Sequence, residues 1–287
     1  MPELPEVEFV ARQLRDDLVG RRIRRAEVFW PRAIQGLGVP EFEAGLAGRV
    51  VTAIGRRGKY LLIYLDDGAV LLVHRRMSGN LRLAASDEDE PYVRVAVTLD
   101  DGRRLLYTDP RKFGRLALAR VEELPTLFAA LGPEPLDPSF TVEALAARLA
   151  GRRGPIKATL VDQSVVAGLG NIYADEALFR AGIHPLRPAG SLDPAEVAAL
   201  HMGIVGVLRA GIEHGGTTFS RYRDAYGESG TNRQHLEVYQ RTGEPCPRCG
   251  TPIERIVVGQ RGTHFCPSCQ RARPTSGTGQ ARRRPAT

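Results

Sequence analysis

Apolar residues recur at helical spacing near the start of the chain and again in its second half, with alternating apolar and polar residues between. A first helix is predicted from the apolar face formed by Val7, Val10, Ala11, Leu14 and Leu18. From about residue 23 to residue 119 the apolar period changes to two, which predicts strands. The candidate strands are Ile23–Phe29, Val50–Ile54, Tyr60–Leu65, Ala69–Arg75, Val93–Leu99, Arg104–Tyr107 and Arg115–Ala119.

Two Asp-Asp-Gly segments, 66–68 and 100–102, predict tight turns that join neighbouring strands as hairpins. Several short antiparallel strands with such turns indicate a β-sandwich, covered by the first helix. We therefore expect an α+β protein whose N-terminal half is an antiparallel sandwich with one packing helix.

The second half of the chain is predicted to be helical. Candidate helices are Thr141–Ala150, Ile156–Asp162, Ile172–Ala181 and Pro194–His214. We divide the chain into a sandwich domain (1–131), a Pro-rich linker (132–140), a helical domain with a Gly-rich mobile loop (141–240), a small cysteine module (241–273) and a disordered polar tail (274–287).

Composition fits a soluble globular protein: of 287 residues, 43% are hydrophobic and 25% are charged. No apolar run approaches a membrane span in length and no signal peptide is visible, so we expect a cytoplasmic protein. The net charge is +7, carried almost wholly by arginine, which suits phosphate binding. A GC-rich genome explains the Arg/Lys ratio, though not the net charge.

The four cysteines form two Cys-x-x-Cys pairs, Cys246/Cys249 and Cys266/Cys269, separated by sixteen residues. This spacing predicts one structural zinc ion with four thiolate ligands and no open position. Between the pairs, two short strands are expected to form a ribbon with Arg261 at its turn. In isolation, Arg261 is most simply a solvated turn charge.

The opening segment Met1–Glu8 carries candidate chemistry. Removal of Met1 would leave Pro2 with a free secondary amine, which is partly unprotonated and nucleophilic at neutral pH. Glu3 beside it can move protons. A helix start preceded by an ordinary Pro-Glu pair is the simpler interpretation for an arbitrary chain.

This octet resembles the N-terminus of the formamidopyrimidine-DNA glycosylase family of bacterial base-excision repair enzymes. Four further segments resemble motifs of the same family, and they occur in the family's order. These segments are His74–Gly79, Asp109–Gly114, Gln163–Glu176 and Val258–Pro267. The third of them also predicts, from its own residues, two Gly-punctuated turns followed by a helix that begins near Asn171 and offers free N–H groups to a phosphate.

The resemblance implies a bifunctional glycosylase and abasic-site lyase with a helix–two-turn–helix domain, acting as a monomer on damaged double-stranded DNA, with no protein partner and no membrane. It implies a catalytic set of Pro2 as nucleophile, Glu3 for proton transfer, Lys59 on phosphate and Glu6 as an ordering residue. It implies a DNA-binding set of His74, Met77, Arg111, Phe113, Lys157, Asn171 and Arg261.

Two departures from the family pattern affect the expected preference for one damaged base over another. Arg75-Arg76 stands where Leu-Gly is expected, and the lid segment Phe219–Asp224 is more basic and aromatic than usual. Leu4 and Val7 favour the branch that removes oxidised purines over the sister branch for oxidised pyrimidines. A non-catalytic zinc-finger DNA-binding protein and an RNA-binding zinc-ribbon protein are the alternatives from other classes.

Overall fold

A computed structural model describes residues 2–86, 88 and 90–272. The predicted tail, 274–287, and the predicted removal of Met1 lie outside the described residues. The elements of the N-terminal half are α1 (Leu4–Leu18), β1 (Ile23–Val28), β2 (Ile34–Gln35), α2 (Val39–Leu46), β3 (Val51–Arg57), β4 (Tyr60–Leu65), β5 (Ala69–His74), β6 (Asn80–Ala84), β7 (Val93–Leu99), β8 (Arg104–Thr108), β9 (Arg115–Arg120) and α3 (Leu124–Leu127).

The strands form two sheets, so the predicted sandwich is confirmed. One sheet has the order β1-β7-β8-β6 and the other has the order β2-β9-β5-β4-β3. Both Asp-Asp-Gly segments join antiparallel neighbours, β4 to β5 and β7 to β8. The sequence patterns did not predict β2, α2 or β6. Strand β2 has two residues and α2 contains Pro40 and Gly45, so neither leaves a clear period.

Helix α1 joins the two halves of the molecule. Pro5 lies in its first turn, where the missing N–H costs nothing. Val7, Val10 and Leu14 are buried in the core of the sandwich, whereas Leu4 belongs to the core of the helical domain. The start of α1 is therefore held between two hydrophobic cores, which fixes the residues before it.

The C-terminal half contains α4 (Val142–Leu149), α5 (Ile156–Leu160), α6 (Asn171–Ala181), α7 (Pro194–Glu213), β10 (Glu254–Val258) and β11 (Arg261–Phe265). Helix α6 ends at Gly182, which has a left-handed backbone (φ +69°). Helix α7 begins after Asp193, whose side chain accepts a hydrogen bond from the N–H of Glu196 at 2.9 Å. The predicted helices and the cysteine ribbon are confirmed.

The expectation that no apolar run approaches a membrane span in length is corrected at α7. By length and composition alone, Pro194–Glu213 is apolar enough to cross a membrane, although the sequence pattern had indicated no such run. Leu200, Ile204 and Leu208 are fully buried in the helical domain. These apolar residues of α7 thus form part of the core of the helical domain.

Candidate active site

The side chain of Glu3 lies at the N-terminal end of α6. Glu3 is 2% exposed, and its Oε1 accepts a hydrogen bond from the N–H of Ile172 at 3.0 Å. The backbone is held as well, because the N–H of Leu4 donates to the carbonyl of Gly168 at 3.0 Å. Free N–H groups and the positive end of the helix dipole stabilise a carboxylate at this position.

Two glycines of the turn before α6 make this approach possible. A β-carbon on Gly170 would lie 2.3 Å from the carboxyl carbon of Glu3. Gly168 has φ +82°, and a β-carbon there would lie 2.8 Å from the side chain of Leu4. The glycines that punctuate this segment are therefore required by the N-terminal residues packed against them.

Glu6 is buried beside Glu3 and orders its backbone. Its Oε2 accepts from the N–H of Glu3 at 2.8 Å, and its Oε1 accepts from the hydroxyl of Tyr173 and the N–H of Thr217, both at 2.7 Å. Burial, followed by the neighbouring charge of Glu3, raises the pKa of Glu6. The roles of Tyr173 and Thr217 were missed, and the signal for Tyr173 is its position in the first turn of α6.

Pro2 and Glu6 line a cavity of about 240 Å³ between the two halves of the molecule. Its walls include Met77 and Arg111 from the sandwich, together with Phe219–Tyr222 from the lid segment. A larger cavity of about 610 Å³ lies on the outer face of the five-stranded sheet, lined mainly by apolar residues, and Pro2 and Glu6 are not among them. The smaller cavity is the candidate active site because the candidate nucleophile Pro2 lies in its lining.

Lys59 is 8% exposed, directly after Gly58, which has φ +55°. Burial lowers the pKa of Lys59, and the positive charge of Arg261 adds to that effect, while the charge of Glu3 opposes it. A lysine with a lowered pKa is suited to proton transfer as well as to phosphate binding.

His74 lies at the end of β5, with its ring edge-on to Tyr60 at a centroid distance of 4.6 Å. Burial, then the positive charges of Arg76 and Lys59, lowers the pKa of His74 to about 4. Its Nδ1 accepts from the N–H of Arg76 at 3.1 Å, which leaves the proton on Nε2. His74 is therefore a neutral hydrogen-bond donor near pH 7, not a cation.

The loop between β8 and β9 presents Arg111 and Phe113. The guanidinium carbon of Arg111 lies 4.8 Å from the ring centre of Phe113, and Phe113 is 46% exposed. Buried Asp109 shapes the loop by accepting from the N–H groups of Phe113 and Gly114, both at 2.8 Å. Burial alone would raise the pKa of Asp109, but hydrogen bonds from Ser78 and the loop backbone outweigh it and hold the pKa low. An exposed Phe on a rigid loop is suited to insertion between bases.

The structure brings Asn171 and Arg261 together. Nδ2 of Asn171 donates to the carbonyl of Gly262 at 2.9 Å. Gly262 follows Arg261 in β11, and Arg261 is the first residue after the turn of the ribbon. Met77, on the sandwich side, is 47% exposed and lines a separate surface depression with Phe113 and Arg261. Met77, Phe113 and Arg261, three of the predicted DNA contacts, thus lie around one surface depression.

Lys157 requires a correction. It is fully buried, and its Nζ donates to the carbonyl of Asn171 at 2.7 Å and to the carboxylate of Asp175. Asp175 also accepts from the N–H of His264 at 2.8 Å. A lysine enclosed in this way does not contact DNA directly. It joins α5 to the start of α6, and Asp175 ties α6 to the ribbon.

The four cysteines fit a structural zinc ion. Their sulfur atoms all lie within 4.8 Å of one another, and the Cys249–Cys266 and Cys246–Cys269 separations are 3.5 and 3.8 Å. Zinc–sulfur bonds of about 2.3 Å in a tetrahedron place sulfurs about 3.8 Å apart. These separations exclude disulfides, whose sulfur–sulfur bond is about 2.05 Å. The predicted zinc site is confirmed as a four-cysteine centre.

Three protein-family models match this chain. The model of the formamidopyrimidine-DNA glycosylase N-terminal domain matches residues 1–116, and the H2TH domain model of the same enzyme matches residues 131–223. A model for a zinc finger found in FPG and IleRS matches residues 243–272. Together the three models cover most of the described residues, and their matches follow one another along the chain.

Known proteins are similar over nearly the same length. The formamidopyrimidine-DNA glycosylase of Herpetosiphon aurantiacus is 53% identical over 272 residues, which cover 94% of this chain and 100% of that protein. A structure of the Lactococcus lactis Fpg with DNA containing an abasic site has a TM-score of 0.89 and 38% identity, and MutM with DNA containing carbocyclic 8-oxo-G has a TM-score of 0.88 and 38% identity. Each covers 94% of this chain and 100% of the compared chain.

Proposed function

The chain belongs to the formamidopyrimidine-DNA glycosylase family, and from that premise we propose that it is a bifunctional DNA glycosylase and abasic-site lyase. It excises oxidised purines, namely 8-oxoguanine and formamidopyrimidines, from damaged duplex DNA. It then cuts the strand at the abasic site.

The observation that carries the proposal is the position of Pro2 in the cavity with Glu6, directly before the enclosed carboxyl group of Glu3. Once Met1 is removed, the amine of Pro2 attacks C1′ of the damaged nucleotide, and the bond from C1′ to the base breaks. The base leaves with the electron pair of that bond and takes a proton from solvent. The carboxylate of Glu3 takes the N–H proton of Pro2 and delivers it to O4′ as the sugar ring opens. The product is an iminium ion between Pro2 and the opened sugar.

The iminium ion withdraws electrons and acidifies the C2′ proton. Removal of that proton expels the 3′ phosphate by β-elimination, and a second proton loss expels the 5′ phosphate by δ-elimination. Glu3 shuttles these protons, and Lys59, with its lowered pKa, assists at the phosphate. Water then hydrolyses the iminium and restores the amine. Glu6 holds the backbone N–H of Glu3 throughout.

DNA would lie in the cleft between the sandwich and the helical domain. Met77, Arg111 and Phe113 would fill the space left by the extruded base, because all three are exposed on short segments at that cleft. Asn171, Arg261 and the neutral His74 would bind phosphates, with Lys157 acting through Asn171. As a bacterial-type DNA repair enzyme, the protein would act on the nucleoid in the cytoplasm, as a monomer.

The test is a panel of duplexes containing an oxidised purine, an oxidised pyrimidine or an abasic site, each scored for base release and strand cutting. The intact mass should lack Met1, and borohydride should trap a covalent complex with the lesion duplex. Pro2→Gly should lose most of that trapping, because a primary amine lacks proline's obligate iminium charge and fixed geometry. Pro5→Ala keeps the amine and should be trapped normally.

Trapping that survives the loss of Pro2 would move the nucleophile to Lys59 or elsewhere. A protein that binds lesion duplex but releases no base would be a DNA-binding protein instead. Preferential release of oxidised pyrimidines would assign the chain to the sister activity.

A further inference from the structure

Arg75 is a buried arginine that connects three parts of the molecule. It is 1% exposed, and its guanidinium donates to the carbonyls of Gly79 (3.0 Å), Glu6 (3.2 Å) and Arg223 (3.3 Å), and to Oδ1 of Asn80 (3.1 Å). Glu6 belongs to α1, Gly79 follows the Met77 segment, and Arg223 belongs to the lid segment. One side chain thus joins the catalytic helix, the segment that carries a void-filling residue, and the lid.

Asn80 holds the same stretch of the lid from the sandwich side. Its Oδ1 also accepts from the N–H of Arg223 at 3.2 Å, and its Nδ2 donates to the carbonyl of Arg221 at 2.8 Å. Between these residues, the buried ring of Tyr222 lies 5.2 Å from the guanidinium carbon of Arg75. The backbone of Arg221–Arg223 is therefore fixed by both polar ends of Asn80 and by Arg75.

Burial of a guanidinium is costly unless every N–H finds an acceptor. Burial lowers the pKa of Arg75, yet Tyr222, Glu6, Tyr107 and Asp224 oppose that effect, and an arginine stays charged in a folded protein. Its acceptors are three backbone carbonyls and an amide oxygen. An apolar side chain would fill this space without such a cost, so the connections themselves are what the arginine contributes.

We propose that Arg75 and Asn80 are positioning residues that dock the lid segment over the cavity and set its place relative to Met77. The proposal rests on the proposed function. Met77, Gly79 and Asn80 line the cavity on one side, and Arg221 and Tyr222 line it on the other. The extruded base would be enclosed by the docked lid as Met77 fills the space it leaves.

Docking of the lid should affect base release and strand cutting at an abasic site to different extents. An oxidised base must be held by the lid before its bond to C1′ breaks, whereas an abasic sugar has no base to enclose. Lid docking should therefore determine base release and should matter little for cutting at a preformed abasic site. A merely structural role would weaken both reactions together.

The decisive variant is Asn80→Ala, since Asn80 is only partly buried and the change removes no apolar core side chain. Single-turnover base release from an 8-oxoguanine duplex should fall about tenfold, as expected when one or two hydrogen bonds are lost from the reacting state. Cutting of the same duplex with an abasic site should stay within about twofold. Arg75→Met should show a larger difference between the loss of base release and the loss of abasic-site cutting. Arg75→Lys should recover part of the base release.

Trypsin supplies a readout that does not depend on activity. Undocking of the lid should expose the bonds after Arg221 and Arg223, so mass spectrometry should detect faster cleavage there in Asn80→Ala. Arg187→Ala is the matched control. Arg187 donates to both carboxylate oxygens of Glu196 in the helical domain, outside the cavity lining, and its loss should change neither the ratio of the two reactions nor the lid cleavage.

Equal losses of base release and abasic-site cutting in Asn80→Ala, or unchanged rates of both together with unchanged lid cleavage, would overturn the proposal. Failure of the proposed function looks different, because the parental protein itself would then release no base. In that case the trypsin comparison still decides whether the two residues dock the lid.

Discussion

The carboxyl carbon of Glu3 lies 2.3 Å from the point that a β-carbon on Gly170 would occupy. Residues 167 positions apart in sequence are thus packed so closely that only glycine fits. The carboxylate gains the N–H of Ile172 at 3.0 Å by this approach. The proposed catalytic N-terminus and the proposed phosphate-binding helix are consequently in direct contact.

Gly170→Ala should displace Glu3 from the N-terminus of α6. The added methyl group meets a carboxyl group that is itself buried, so we expect a loss of about 1–3 kcal/mol in stability from overpacking. Base release should fall at least about tenfold if the displaced carboxyl loses one productive hydrogen bond. The measurements are thermal unfolding and single-turnover base release.

Gly154→Ala is the control for this change, because a β-carbon there meets no atom within 4 Å and its backbone is not left-handed. It should match the parental protein in both measurements. Equal behaviour of Gly170→Ala and Gly154→Ala would contradict the proposed contact between Glu3 and the turn.

The sequence predicted what local patterns encode. The spacing of the cysteines predicted the zinc centre, and the turn signals before Asn171 predicted the start of α6. Alternation predicted most of the sandwich strands, because one face of each strand is buried. These features depend on residues that are near one another in the chain.

Contacts between distant residues were not predictable from those patterns. Thr217 donates its N–H to Glu6 across 211 positions, and no spacing rule links the two. The resemblance implied that Lys157 contacts DNA, but Lys157 is fully buried in the helical domain and paired with Asp175. Arg75 was recognised as a departure, yet its four acceptors come from three separate segments.

His74 should make stability depend on pH. Its folded-state pKa of about 4 lies below the ordinary value of 6.5, so the unfolded chain binds more protons between those two values. Stability should therefore rise as the pH increases from about 4 to 6.5, and should be lost as the pH falls through that window. His74→Asn keeps an acceptor for the N–H of Arg76 and should flatten this dependence in urea unfolding curves.

The same change tests how His74 meets DNA. A neutral imidazole releases no counterion, so His74→Asn should leave the salt dependence of DNA affinity unaltered at pH 7.5. A reduced salt slope would show that His74 is charged when it binds DNA. A parental pH dependence that persists in the variant would show that His74 is not the group responsible for it.

Cys249→Ser should release the zinc ion, because one thiolate of four is lost. The parental protein should carry one zinc per chain by elemental analysis, and the variant should carry less. Since Arg261 lies on the hairpin between the two cysteine pairs, duplex affinity should fall at least as far as in Arg261→Ala. Ser268→Ala keeps all four thiolates and should retain both metal and affinity; a chelated parental protein that binds DNA normally would refute the role of the metal.

DNA binding and base release should be separable. The side chains of Asn171 and Arg261 lie at the ribbon, whereas Glu3 lies beside the amine of Pro2. Arg261→Ala should weaken binding to damaged and plain duplex alike, and should reduce the slope of log affinity against log salt by about one unit. Asn171→Ala should lower affinity with little change in slope, since the amide is neutral.

Glu3→Gln should behave in the opposite way. It preserves the shape of the side chain and an acceptor for the N–H of Ile172, and it removes one negative charge beside the DNA, so binding should hold or tighten while base release collapses. The measurement combines affinity for lesion and plain duplex at several salt concentrations with single-turnover base release. Arg25→Ala, an exposed arginine paired with Glu27 at 3.3 Å on β1, controls for the loss of one positive charge and should leave the slope unaltered. Base release by Glu3→Gln at the parental rate would show that Glu3 is not needed for the chemistry. An Arg261→Ala variant with the same salt slope as Arg25→Ala would show that Arg261 does not bind a phosphate.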